Sequence, residues 1–569
     1  ILFRNGAKHI TSGKYPFAGI LKVGTVDYNT AANVSGCENC HTVPFLKHTY
    51  IYGTVADNTT GAPTEFYTCK GCHFDQRAGG HVDWQVLKDD PARYADLGNN
   101  PLTDAEKAKY AYKATLINDV HMSHAMEFAY PQSMKNCVTC HAGKLATVLA
   151  NDKFTPETCI SCHSVDGIKA KMAAASYNHG GLVDNLKTTN CGLCHGVGGA
   201  PSFTTIHGGG YDPKIYTSSG VRYASAFTVT IDSASIANNV LNVKFSAAES
   251  PDVAGLAVTD IVPTVVMSLY GYDTKDFLVG GHNRDANNKR LLEYVWGDGN
   301  PRFTPVAAAN GSWEVNVDLS MWAGKFADGS VKRAEIAVMP TLKNAAGVTL
   351  GLNAPSKTFN LVSNAFEASS AIVDVAKCNT CHDQLATTFH SGNRGGNVTV
   401  CRICHTVESA GSHLELQSRS IDSYVHAIHS FQAFDPGDID FADPVEALHF
   451  EHHINSEFPR FTILDCQSCH NAGTFNVPNQ GKSMPSVQSG TDAVENGRSI
   501  GTYPRYVTGP AARACGSCHR SQAINADGGM GDANKLASLM GHLKTNGLMI
   551  ENAPGVWEAI VAKVMAFFN

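Results

Sequence analysis

Nine copies of Cys-x-x-Cys-His, beginning at Cys37, Cys69, Cys137, Cys159, Cys191, Cys378, Cys401, Cys466 and Cys515, use all 18 cysteines of the chain. The second thiols are Cys40, Cys72, Cys140, Cys162, Cys194, Cys381, Cys404, Cys469 and Cys518, and the histidines that follow are His41, His73, His141, His163, His195, His382, His405, His470 and His519. Two thiols can add across the two vinyl groups of one haem while the adjacent imidazole turns onto the iron, so this spacing is what covalent haem attachment requires. A zinc site or a redox dithiol also uses Cys-x-x-Cys, but neither demands a histidine next. Nine repeats that leave no cysteine over predict nine haem c groups.

Of 25 histidines, 16 lie outside the motifs, enough for a second axial imidazole on every iron. Iron held by two imidazoles is six-coordinate, offers substrate no open position and relays electrons, so no catalytic residue is expected. The candidate second ligands are His48, His81, His121, His124 and His179 in the first cysteine group, and His390, His426, His429 and His542 in the second. His207, His413 and one of His449, His452 and His453 stand in reserve, while His9 reads as a surface residue or a ligand lent to a neighbouring subunit. Val-His-x-x-His occurs twice, at His121 with His124 and at His426 with His429. Spacing of three puts both rings on one helix face, so one helix could serve two neighbouring haems. Thr103 and Glu106 form a capping-box pattern that starts such a helix ahead of the first pair.

These ligands need supporting elements. The motifs fall in two groups, five within residues 37–195 and four within residues 378–519, leaving about 32 to 36 residues for each haem. That is too little protein to insulate separate pockets, so the haems themselves are expected to form the cores and to lie near contact. A histidine pattern repeated between the groups reads as two copies of one five-haem module, the second having lost the counterpart of the Cys191 motif. Between them, residues 221–362 alternate apolar and polar side chains, as in Phe227, Val229 and Ile231, Leu241, Val243 and Phe245, Trp313, Val315, Val317 and Leu319, and Ala334, Ile336 and Val338. Clusters of Gly, Asn and Asp separate these runs, predicting an antiparallel β-sandwich or barrel. Its single histidine, His282, reads as an exposed loop residue. The fold class expected is therefore multidomain: a pentahaem domain over 1–215, a β-sandwich or barrel over 216–370, and a tetrahaem domain over 371–569, both haem domains being loops and helices. Trp557, Ile560, Val561, Val564 and Phe568 have helical spacing and predict a docked carboxy-terminal helix, with contact to a membrane surface or second subunit as the alternative.

The 569 residues include no apolar run long enough to span a bilayer. The formal charge of −7 becomes more negative once haem propionates are added, and there is no dense basic block, which argues against nucleic acid as a partner. The chain begins at Ile1 with no leader pattern and is expected to be a processed form. Haem c is attached outside the cytoplasm, so export is expected.

The stretch His121-Met-Ser-His124 followed by Tyr-Pro-Gln-Ser-Met-Lys-Asn-Cys-Val-Thr-Cys-His, ending at His141, and Tyr-Val-His-Ala-Ile-His, ending at His429, resemble the OmcA/MtrC family of outer-surface multihaem cytochromes. The resemblance extends to haem groups flanking a β domain. It implies transfer of electrons from the bacterial envelope to other cytochromes or to extracellular acceptors such as metal oxides, electrodes and flavins. Family members typically carry ten haems and a further β domain, whereas only 36 residues precede Cys37 here. Lipid anchoring through an amino-terminal cysteine, common in the family, is not expected where every cysteine is committed to haem. Two other functions compete: a head-to-tail conducting filament, and a reductase of a nitrogen or sulfur oxyanion, which would need an open iron.

Overall fold

The computed structural model describes residues 2–4, 18–20, 31–40, 86, 90–110, 132–163, 165–175, 179–182, 190–196, 200–271, 275–276, 279, 283–385, 387, 390–407, 418, 420–429, 465–491, 500–524, 533–553, 555–556, 558–559 and 562. The chain forms two compact units. One comprises Ile1–Asp212, Ser218–Gly220 and Asp440–Thr462; the other comprises Pro213–Thr217, Val221–Ile439 and Ile463–Asn569, and so unites the β segment with the second cysteine group.

In the first unit, helix α1 (Asp104–Tyr110) begins where the sequence places a cap. The Thr103 hydroxyl accepts from the Glu106 amide at 3.2 Å, and the Glu106 carboxylate accepts from the Thr103 amide at 2.9 Å. Arg93 adds a 2.7 Å hydrogen bond to the same carboxylate; this bond, with those from Thr103, holds the Glu106 pKa at about 2. Further on, Leu149, Phe154 and Phe203 form a small core against Cys159 and Cys191, with the two phenyl rings stacked at 4.8 Å.

The second unit is organised by two open antiparallel sheets rather than a closed barrel. Strands β1 (Phe227–Ala237), β2 (Val240–Glu249), β5 (Phe303–Ala309) and β6 (Ser312–Asp318) form one, in the order β1-β2-β6-β5. Strands β3 (Val262–Tyr270), β4 (Glu293–Val295), β7 (Arg333–Thr341), β8 (Ser356–Asn360) and β9 (Ala365–Phe366) form the other, in the order β9-β8-β7-β3-β4. The β1–β2 hairpin turns on Asn238 and Asn239, both left-handed with φ of 51° and 61°, the conformation that matches the twist of a two-residue hairpin loop. Phe227, Ile231, Leu241, Val243, Phe245, Val315 and Val317 point inward and meet Val265, Ile336 and Val338 of the facing sheet in one core.

β3 and β7 depart from the expected alternation. Pro263 to Tyr270 and Ala334 to Pro340 are buried on both faces. The second face is covered by helix α7 (Val398–Cys404), whose Val400 and Ile403 pack with Val266, Tyr270, Ala337 and Met339. A strand buried on both sides reads as a continuous apolar run, which is how Val262-Pro-Thr-Val-Val-Met-Ser-Leu-Tyr270 is written. Farther along, strands β10 (Ser486–Thr491), β11 (Ile500–Thr508) and β12 (Met549–Glu551) make a third sheet. Helices α9 (Pro510–Ile524) and α10 (Ala533–Thr545) join it through Tyr506, Ala512, Leu543 and Met549. Among the described residues no helix is long and apolar enough to cross a membrane. The apolar positions expected of a carboxy-terminal helix, Trp557, Ile560, Val561, Val564 and Phe568, lie outside the described residues, as does His282.

Candidate functional site

Seven of the nine motifs are described in full; of Cys37 to His41 the two thiols are described, and Cys69, Cys72 and His73 lie outside. Each fully described motif includes about one helical turn. The amides of His141, His163, His195, His405 and His470 bond to the carbonyls of Cys137, Cys159, Cys191, Cys401 and Cys466 at 2.8 to 3.1 Å. An i to i+4 bond places the first thiol, the second thiol and the imidazole on one face, as a group bound through all three requires.

Among the described residues, five imidazoles outside the motifs face motif imidazoles. Ring centres lie 6.4 Å apart for His163 and His207, 6.4 Å for His179 and His195, 5.8 Å for His382 and His429, 6.2 Å for His390 and His405, and 6.0 Å for His426 and His470. The planes range from nearly parallel, at 4° for His179 with His195, to 66° for His382 with His429. With metal–nitrogen bonds of about 2 Å and each ring nitrogen about 1.1 Å from its ring centre, two imidazoles that would share one metal from opposite sides have centres about 6.2 Å apart. The five pairs, at 5.8 to 6.4 Å, match that spacing and leave room for one iron between the rings. The residues therefore fit haem c.

The second nitrogen of several rings is committed to a backbone carbonyl. Nδ1 of His141 bonds to Ala31 at 2.7 Å, that of His195 to Pro201 at 2.6 Å and that of His207 to Phe203 at 3.0 Å. In helix α8 (Ile421–His429), Nδ1 of His426 bonds to the Asp422 carbonyl at 2.5 Å and Nδ1 of His429 to the Val425 carbonyl at 2.8 Å. A carbonyl partner places the proton on Nδ1, leaving the Nε2 lone pair for a metal and fixing ring orientation. Burial, with the neighbouring His429 ring, pushes His382 down to about 3. Burial likewise lowers His390, His429 and His470, which favours the neutral ring whose lone pair a metal needs.

Motif thiols also meet one another. Cys140 hydrogen-bonds Cys37, Cys159 hydrogen-bonds Cys191, and Cys378 hydrogen-bonds Cys469. The bonds from Cys159 and Cys378 hold Cys191 and Cys469 near 7. Cys162 lies close enough to Cys137, and Cys466 to Cys515, for their charges to interact. Motifs thus adjoin in the order 37, 137, 159, 191 in the first unit and 378, 466, 515 in the second. Gly36 enables the first of these contacts, because a Cβ there would run into the Thr139 carbonyl oxygen.

His426 and His429, on one helix, face different motifs. His179 follows the Cys159 motif in sequence but stacks with His195 of the next, and His390 faces His405 rather than His382. His207, a reserve candidate, faces His163. The nearest sequence signal for it was the Ser202 cap of the short helix α5 (Phe203–Ile206), where Ser202 accepts from Thr205 at 3.1 Å and presents His207 at the end of one turn. His542 is exposed on α10, which packs against the α9 helix bearing His519, but the two rings do not meet. His9, His48, His81, His121, His124, His413, His449, His452 and His453 lie outside the described residues, together with His41.

Residues 370–549 match the family of outer membrane cytochrome MtrC/MtrF-like proteins, domains II/IV. Among solved structures, the chain is similar to the outer membrane decaheme cytochrome OmcA, at 16% identity over 94% of this chain and 72% of that one, with a TM-score of 0.48. It is also similar to MtrC from Shewanella baltica OS185, at 18% identity over 56% of this chain and 45% of that one, with a TM-score of 0.28. A search of curated proteins gives no match.

Proposed function

We propose that a chain carrying an MtrC/MtrF-like domain and nine thiol-thiol-imidazole motifs is an electron-transfer cytochrome with nine haem c groups, held mainly by paired imidazoles and acting at the outer surface of a bacterium. The carrying observation is the set of five imidazole pairs, each uniting a motif histidine with a distant one at the separation a single iron needs. When bound, haem c supplies a one-electron couple. The chain's residues supply the rest. Thiols fix the group covalently, carbonyls lock the imidazole tautomer, and paired rings leave no coordination site for substrate, so the protein carries electrons rather than converting a substrate. The adjoining motifs support two runs of neighbouring groups, one in each unit, and two haem-packed cores. The acceptors would be other cytochromes or extracellular minerals, electrodes or flavins, selected in part by the acidic charge.

The test is mass analysis of the mature protein together with its spin state. Nine covalently attached haems, essentially all low-spin, and oxidation of the reduced protein by a soluble flavin or a ferric mineral are expected. Markedly fewer haems, or a substantial high-spin fraction, would overturn the reading.

A further inference from the structure

Four charged side chains of the second unit converge beside the motif helices, and the central one belongs to the β-sandwich. Asp276, in the loop after β3, is fully buried. One of its oxygens accepts from the Arg402 guanidinium at 2.5 Å and lies 3.9 Å from that of Arg513; the other accepts from the Met484 amide at 2.6 Å. Arg402 sits between the two thiols of the 401–405 motif, and Arg513 lies two residues before Cys515 on α9. Arg513 is itself buried and reaches on to the Asp422 carboxylate at 3.1 Å. Asp422 opens α8, and its carbonyl orients His426.

The loop that presents Asp276 is held in an unfavourable shape. Lys275 has a φ of 51°, the left-handed region that residues with a Cβ avoid. Two bonds retain it there: its carbonyl accepts from Arg402 at 2.9 Å and its ammonium meets the buried Glu335 of β7 at 3.2 Å. Such strain persists only where surrounding contacts over-determine the backbone. Two carboxylates and two guanidiniums balance, and removing any one leaves an uncompensated charge in a poorly screened interior.

We propose that Asp276 is a positioning residue of the β-sandwich that, through Arg402 and Arg513, fixes the 401–405 and 515–519 motifs and sets the charge felt by the haems they hold. The assignment rests on the haem-attachment reading above. The β-sandwich is then part of the electron-transfer machinery rather than a spacer.

The experiment compares stepwise potentiometric titrations of the holoprotein with those of Asp276→Asn, Arg402→Gln and the double variant. Loss of the negative charge favours the less positive, reduced iron. Asp276→Asn is expected to shift the reduced-to-oxidised ratio of one or two of the nine couples about tenfold upward, about 59 mV for one electron. Arg402→Gln is expected to shift the same couples downward, and the double variant to return them towards the parent. A packing role alone would not reverse sign with charge. Couples that stay in place, or that move the same way in both single variants, would overturn the inference, and Arg402→Gln decides the matter if the buried Asn variant does not fold. Peptide mass analysis separates this from the underlying reading: no haem on peptides spanning 401–405 and 515–519 refutes attachment, whereas haem present with unmoved potentials refutes the role of Asp276.

Discussion

Replacing His207 with alanine tests the imidazole pairing where sequence and geometry diverge most. The His207 ring faces His163 at 6.4 Å, donates Nδ1–H to the Phe203 carbonyl at 3.0 Å and meets the Phe203 ring edge-on at 4.7 Å. Losing one local hydrogen bond and one aromatic contact costs about 1–3 kcal/mol. That is small beside the roughly 5–15 kcal/mol that holds a domain folded, so the effect should be confined to iron. On the proposed nine-haem reading, one haem of the nine should become five-coordinate, removing about a ninth of the low-spin signal and allowing the reduced protein to bind one equivalent of carbon monoxide. His179→Ala should do the same at the His195 iron, and the double variant should bind two equivalents. Added imidazole should restore low-spin iron by occupying the space left by either ring. If the double variant bound only one equivalent, either both histidines would address one iron or one would address none, and the pairing by ring separation would be refuted.

Helix α8 makes a related prediction: His426→Ala and His429→Ala should each open one iron, with His470 and His382 as the remaining ligands, and together they should open two by the same gas titration. Ile403 is fully buried between the 401–405 thiols and the β3–β7 sheet, so Ile403→Ala should destabilise the second unit by about 2–5 kcal/mol, measured as a lower denaturant midpoint. Burial alone would raise the Asp422 pKa, but Arg513 and Arg402 with their hydrogen bonds outweigh it and hold the carboxyl well below the usual range. Its stabilising contribution is thus full above the unfolded value of about 3.9 and is lost as pH falls through the lower folded value. Asp422→Asn should therefore cost stability at pH 7, with a gap to the parent that narrows only under strong acid; a gap constant from pH 7 to 2 would contradict the assignment.

The β-sandwich was legible because period-two alternation is a local signal: Phe227, Val229 and Ile231, or Leu241, Val243 and Phe245, declare their inward face without reference to anything distant. The same pattern misread β7, where Ala334, Ile336 and Val338 were expected to face a core and their neighbours solvent. What covers Ala337 and Met339 is Val400 and Ile403, about sixty residues on and on the helix that bears a cysteine motif. The motifs and the capping box at Thr103 were legible for the same local reason. The partnering of histidines was not. His390 lies eight residues beyond His382 yet faces His405, and His429 reaches back to His382. Loop closure costs little more for a long loop than for a short one, so proximity in sequence gives almost no preference among candidate rings. Only the fold selects.

That selection is made by elements without cysteine. The 401–405 motif is one helical turn, too short to hold its own geometry in water. Its apolar residues Val400 and Ile403 are seated on a sheet, its Arg402 is clamped by Asp276 and Lys275, and its Asn397 cap is tied to the Ala354 carbonyl at 2.9 Å. Each contact runs to the β-sandwich. The sheet, in turn, would expose an apolar face at Val266, Ala337 and Met339 if the motif were absent. Each part thus covers what the other cannot bury alone, which is why the β segment and the second cysteine group form one compact unit. A variant that loosens the β3–β7 sheet should accordingly disturb the proposed haem at 401–405, because Val400 and Ile403 of the helix that bears this motif are seated on that sheet.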